Sequence, residues 1–322
     1  NADQLEAGDL AKEARKDMLI VMAELMSPRQ ALSEIRIFDF LSEDQLKIQG
    51  DLAQAYTKIG KYEASTGVWM ALLRQFPKNQ LGFDWLEGIL KAQLASGLRT
   101  QIAPTLKGYF AALPSPSEAP EKHKDLQKSI TNVALTIHRE ARKTNDPSIW
   151  KATDQTYAVF NLIYPGHSQG DIWYYGAQRK ERLNQLTSAI DWYQKAALIK
   201  DYENSKDSAY SVLRISKTLA DNQTLKKNKR STAVDQKLAE ASQWYIENFR
   251  NTKQRGLAEF ILLEAYYHTG DYGKANAYLA QIFGVEGATK EHQNQYYALN
   301  RLYYKNQKWP QAFEAAKAVI QS

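Results

Sequence analysis

Cysteine is absent from all 322 residues, and with it go disulfide frameworks, thiolate metal sites and cysteine nucleophiles. Histidine is scarce too, with five residues at 123, 138, 167, 268 and 292. No two of them stand at His-x3-His spacing or in an HExxH context, so the sequence predicts no metal site. The phosphate-cradling and nucleophile-elbow patterns GxGxxG, GxxxxGK[ST] and GxSxG are also missing. Carboxylates such as Asp201 and Glu203 sit among lysines in polar segments. The expectation is therefore a chain that is not an enzyme and holds no cofactor. Long apolar runs are lacking as well: the run from Met18 to Ala23 stops at Glu24, far short of the ~20 residues a bilayer span requires.

Glycine (16) and proline (9) are few and fall mostly between amphipathic runs. Strand-type alternation of useful length does not occur, and Ala, Leu, Lys, Glu and Gln dominate, so the periodicity predicts an all-α protein. Helix pairs are expected over 4–29/31–41, 44–59/61–76, 80–96/99–112, 122–144/147–164, 169–183/185–200, 205–221/232–250, 254–269/271–284 and 290–305/309–321. The charge balance is 42 Lys+Arg against 36 Asp+Glu, a formal +6. Interspersed signs of this kind argue against a nucleic-acid partner. The one basic run, Lys226-Lys227-Asn228-Lys229-Arg230, has no aromatic interleaved and reads as a polar loop between two helices. A length prior of ~150 residues per domain suggests two domains, but internal repeats override it.

Such repeats are present. Counting back from Pro77, residues Leu52, Ala53, Tyr56, Gly60, Ser65, Trp69 and Leu72 fall in a 34-residue pattern of large, small, large, turn, small, large and medium residues. Further copies carry Trp173, Ala177, Ala189, Tyr193 and Ala196; Leu262, Tyr266, Gly270, Ala275 and Leu279; and Tyr296, Leu299, Tyr303, Trp309 and Ala312. Gln49 takes an aromatic slot, and Gln307 stands where the turn glycine would be. A weaker copy runs from Phe83 to Pro116. The pattern resembles the tetratricopeptide repeat. The resemblance covers about two thirds of the chain and implies a right-handed α-solenoid of about eight antiparallel helix pairs. In such an array a small residue such as Ala275 lets two helices approach, while a bulky one such as Tyr266 wedges between units. Most of the 19 tyrosines and 7 tryptophans read as this wedge material.

The resemblance also implies a function. The first helix of each unit would line a concave groove, with Lys47, Gln54, Lys58, Glu87, Lys91, Phe260 and Glu264 among the inward positions. The partner-binding groove is expected at Tyr174, Gln178, Arg182, Tyr267, His268, Tyr297, Arg301, Tyr304 and Lys305, residue types that favour binding hot spots. The paired Asn and Lys positions with which some family members clamp a carboxyl terminus are not reproduced. The function so implied is a non-catalytic scaffold binding a protein or peptide segment, within a bacterial cell-envelope assembly. The alternative is a helical, non-catalytic module of a larger secretion or carbohydrate-handling protein. Residues 1–113 form an N-terminal repeat arm and 122–322 a C-terminal arm, joined by the Pro-rich stretch 114–121 as loop or joint. The chain opens on Asn1 rather than methionine and lacks cysteine, so a processed, periplasmic or otherwise extracytoplasmic chain is expected, with a cytoplasmic location as the alternative. The last helix places Phe313 and Ile320 away from its own partner, so continuation past Ser322 or self-association through that helix is expected.

Overall fold

The computed structural model describes residues 2–37, 42–227, 231–286 and 290–321. Every regular element among them is helical: α1 (Ala2–Leu25), α2 (Pro28–Ile37), α3 (Ser42–Lys58), α4 (Tyr62–Gln75), α5 (Gly82–Ala95), α6 (Arg99–Tyr109), α7 (Pro120–Thr144), α8 (Pro147–Ile163), α9 (Gly170–Arg182), α10 (Leu186–Ala197), α11 (Ser205–Lys227), α12 (Thr232–Asn248), α13 (Arg255–Thr269), α14 (Tyr272–Glu286), α15 (Lys290–Lys305) and α16 (Trp309–Gln321). One 3₁₀ turn, Phe110–Ala112, follows α6. Two compact units divide the chain, 1–172 and 173–322. Within each, most successive helices pack on one another. The odd-numbered helices also touch odd-numbered neighbours (α1 with α3, α5 with α7, α13 with α15), and even-numbered ones touch even (α6 with α8, α14 with α16). Each unit is thus a two-layered stack of helix pairs.

The turns inside the pairs explain the recurrence. Gly60, Gly97, Asn184, Gly270 and Gln307 follow α3, α5, α9, α13 and α15 with φ between 54° and 84°, the left-handed region that closes a helix. In each, the residue after the turn residue donates its N–H back to a carbonyl five positions earlier: Lys61 to Tyr56, Leu98 to Gln93, Gln185 to Lys180, Asp271 to Tyr266 and Lys308 to Tyr303, at 2.8 to 2.9 Å. This satisfies helix-end carbonyls that would otherwise be orphaned. Gln307 takes the conformation that glycine takes elsewhere, so its turn is the same shape built with a less suitable residue.

The packing follows the repeat pattern. Leu52, Ala53, Tyr56, Ser65, Trp69 and Leu72 are all buried. Tyr266 packs against both of the apolar clusters that flank α13, as a wedge should, and Ala275 is fully enclosed. Glycines on helix faces receive tryptophan rings. A Cβ at Gly88 would lie 2.7 Å from the Trp69 ring, and one at Gly176 only 2.2 Å from that of Trp192. That ring stands edge-on to Trp173 at 5.2 Å, with Lys180 over Trp192 and Lys195 over Trp173.

Several boundaries differ from the sequence expectation, two of them most clearly, while the expected helix end over 38–41 lies outside the described residues. The first helix stops at Leu25 rather than 29, because Pro28 opens α2 and Ser27 caps it. The Ser27 Oγ accepts from the Gln30 N–H at 3.4 Å, while Gln30 Oε1 accepts from the Ser27 N–H at 3.1 Å, a reciprocal capping box. Helix α11 runs to Lys227 rather than 221. No glycine or proline interrupts it, and Gln, Leu and Lys are good helix formers. Lys226 and Lys227 therefore end a helix instead of lying in a loop, and Asn228, Lys229 and Arg230 fall outside the described residues.

The Pro-rich stretch lies within the first unit and is tied down. Lys78 Nζ donates to the carbonyls of Ala111 and Leu113 at 3.0 and 2.7 Å. His123 is buried between Phe83 and Phe110. Its Nε2 lies 2.8 Å from the Pro114 carbonyl and its Nδ1 2.7 Å from the Tyr164 hydroxyl. A carbonyl only accepts, so Nε2 carries the proton and Nδ1 accepts from Tyr164.

Gly176→Ala is expected to destabilise the protein by ~1–3 kcal/mol through overpacking against Trp192. Gly273→Ala, where no atom would crowd the new methyl, is expected to be neutral or stabilising. Urea unfolding of the two variants checks the contrast, and equal midpoints would refute it.

Candidate functional site

The residues expected in the groove lie on α9, α13 and α15, three odd-numbered helices of the second unit. Ala177, Ala189 and Tyr193 share a cluster with Val212 and Ile215 of α11, and α13 packs directly on α15. Tyr174 and Gln178 are half-buried and Arg182 is exposed. Tyr267 is only 8% exposed. Its ring contacts those of Tyr272 and Tyr303 at 5.8 and 5.6 Å, and its hydroxyl donates to the Leu302 carbonyl at 3.2 Å. This side chain belongs to the core between α13 and α15. His268, Arg301 and Lys305 are exposed, with Tyr297 at 59% and Tyr304 at 56%.

Charges on these helices pair across them, a feature the repeat pattern did not disclose. Arg214 of α11 meets Glu181 of α9 through two nitrogens at 2.7 and 2.8 Å, the fork geometry that suits a carboxylate. Lys217 reaches Asp221 at 2.9 Å and Glu264 of α13 at 3.2 Å. His268 Nε2 lies 3.8 Å from the same Glu264. Deeper in, Glu259 accepts from Arg255 at 2.9 Å and from Gln295 of α15 at 3.0 Å. Opposite charges four residues apart, such as Arg255 with Glu259, were visible as a sequence signal; the cross-helix pairs were not.

Four of the five histidines, 123, 138, 167 and 292, are buried. Among the described residues no group of three or more His, Asp or Glu is placed to hold a metal ion. No helix among them is long and apolar enough to cross a membrane.

Burial pushes the phenols of Tyr164, Tyr193 and Tyr303 well above their usual value of 10.0, and the nearby Glu181 carboxylate adds to the shift at Tyr193. The folded state therefore holds these protons more tightly than the unfolded chain does. Their contribution to stability is complete below pH ~10 and is lost as pH rises through the higher folded values. Alkaline unfolding is expected above pH ~10, with tyrosinate absorbance rising together with the loss of helical circular dichroism. Full tyrosine ionisation in a still-helical protein would contradict it.

No family model matches the chain, and no curated protein does. Solved structures of tetratricopeptide-repeat proteins do align with it. One is a Signal Transduction ATPase with Numerous Domains protein with a tetratricopeptide repeat sensor from Pyrococcus horikoshii, at 14% identity and a TM-score of 0.36. That alignment covers 97% of this chain and 46% of the other, so the chain spans about half that protein's length. The C-terminal part of a repeat-containing protein from Cytophaga hutchinsonii aligns at 15% identity over 87% of this chain and 97% of its own, with a TM-score of 0.33. A tetratricopeptide repeat protein from Parabacteroides merdae aligns at 12% identity over 85% and 91%, with a TM-score of 0.31.

Proposed function

We propose that this chain is a non-catalytic interaction module that holds a segment of a partner protein against the odd-numbered helices of its second unit. The observation that carries the reading is the set Tyr297, Arg301, Tyr304 and Lys305 on α15. These large, hydrogen-bonding side chains are exposed, and neither Arg301 nor Lys305 has a hydrogen-bond or ion-pair partner among the described residues. On the preceding odd helices two pairs of charged groups are taken up by one another, Glu181 with Arg214 and Lys217 with Glu264. Exposed Tyr and Arg combine contact area with directional bonding, the profile of interface anchors. A place in a bacterial cell-envelope assembly, on the extracytoplasmic side, is part of the proposal. It is supported by the lack of cysteine, and fractionation of the native protein tests it, a wholly cytosolic signal refuting it.

Pull-down from the native organism, repeated with Arg301→Ala combined with Tyr304→Ala, tests the docking face. Each anchor is expected to cost ~2 kcal/mol or more, so partner recovery should collapse while the helical spectrum is unchanged. Undiminished recovery of every partner by the double variant would remove the assignment.

A further inference from the structure

A cleft of ~660 Å³ opens in the second unit between α10 and α12, with α11 as its floor. Where the even-numbered neighbours α14 and α16 pack directly on one another, α10 and α12 do not, although α11 packs on both. Helix α10 turns its Trp192 into the Gly176 notch of α9 instead. The chain continues beyond both walls, to α9 before α10 and to α13 after α12. The opening therefore belongs to the interior of the unit, and repeats stacked on its end would leave it in place. Ile190 of α10, Leu219 of α11, and Val234 and Trp244 of α12 line it, each a half-buried side chain at the margin of an apolar cluster. A cleft of this size with apolar walls on three sides suits a small organic ligand.

The polar groups of the lining indicate the chemical class. In α11 the hydroxyls of Ser208, Ser211 and Thr218 each donate to the carbonyl four residues back, the usual outlet for a helical hydroxyl. Ser216, which lines the cleft, makes no hydrogen bond among the described residues. The Trp244 ring meets that of Phe249 at 5.6 Å, and its indole N–H is likewise without an acceptor there. Asp191 on the α10 wall and Glu240 on the α12 wall are exposed and outside every ion pair among the described residues, as is Lys237 beside Glu240. Lys195, one turn from Asp191, stands over the Trp173 ring at 4.2 Å. Two carboxylates against one ammonium leave the described lining with one negative charge in surplus.

We infer that this cleft binds a small amphipathic cation, a flat apolar body carrying a protonated amine. The body lies against Ile190, Leu219 and Trp244, and the amine meets Asp191 and Glu240 at the mouth. Both acids are exposed, so water solvates them in the empty cleft and each ion pair adds little. The apolar walls therefore carry the affinity, through the area they remove from water, while the acids and the indole face, which attracts cations, set the preference for positive charge. The site is separate from the docking face on α15 and does not rest on it.

The probes are anthracenes bearing a three-carbon arm that ends in an amine, an alcohol or a carboxylate, followed by their own fluorescence anisotropy on the full chain. The amine is expected to bind saturably, about three- to tenfold tighter than the alcohol, with the carboxylate weakest and the differences shrinking in salt. Asp191→Asn with Glu240→Gln, both at exposed positions, should bring the amine level with the alcohol and leave the alcohol unchanged. Val234→Trp should fill the cleft and abolish binding of all three; if it loses its helical spectrum, the carboxamide pair decides alone. Arg301→Ala with Tyr304→Ala should leave every affinity as it is, which separates this site from the docking face. Absence of saturable binding, equal affinity for the three arms, or an amine preference that survives the carboxamide pair overturns the inference. So does undiminished binding to a folded Val234→Trp variant, or a dimer in light scattering that Val234→Trp abolishes, which would make the cleft a contact between copies.

Discussion

A helix that is apolar on more than one side has to be covered from more than one side, and the rest of this structure depends on that constraint. Helix α13 shows it most clearly. Its buried side chains divide between a cluster shared with α11 and α12 and another shared with α14, α15 and α16, so neither neighbour alone would suffice. Close approach then requires something small where something large arrives. Gly176 accepts Trp192 and Gly88 accepts Trp69, and the ring buried in each notch contributes its apolar area at ~25 cal/mol per Å². Tyrosine serves well as the wedge because its ring fills the gap while its hydroxyl reaches a polar group on a neighbouring segment, as Tyr56 does at the Met26 carbonyl just past the end of α1.

Stacking fixes where charge can go. The odd-numbered helices of the second unit lie side by side, so a carboxylate on one can neutralise a cation on the next, and Glu181 with Arg214 and Glu264 with Lys217 do so. These pairs tie α11 to the odd helix on either side of it. What is left over at α15, the exposed cations Arg301 and Lys305 with Tyr297 and Tyr304 beside them, is the feature on which the proposed docking face rests.

Much of the fold was legible in the chain itself. Positions 52, 53, 56, 65, 69 and 72 read as packing residues and are buried, because side-chain volume at those spacings leaves one way to bring two helices together. The turns at Gly60 and Gly270 read as turns since glycine alone enters the left-handed region freely. Gln307 read as a turn only by position in the repeat, and its backbone takes φ 54°. The end of α1 was misplaced although the Ser27-x-x-Gln30 box was visible. The length of α11 was underestimated because polar residues were read as loop, when polarity without glycine or proline is equally a solvated helix.

The candidate site divides along the same line. The sequence by itself determined the helical class, the pairing of helices through short turns and which residues are large enough to wedge or small enough to yield, since these follow from local geometry and side-chain volume. Tertiary structure alone decided the fates of Tyr267 and Tyr304, which occupy the same place in successive repeats. One is sealed beneath α15 and the other stands open beside Trp309. Burial is a property of what lies opposite a side chain, and the chain's local pattern carries no record of its opposite neighbour.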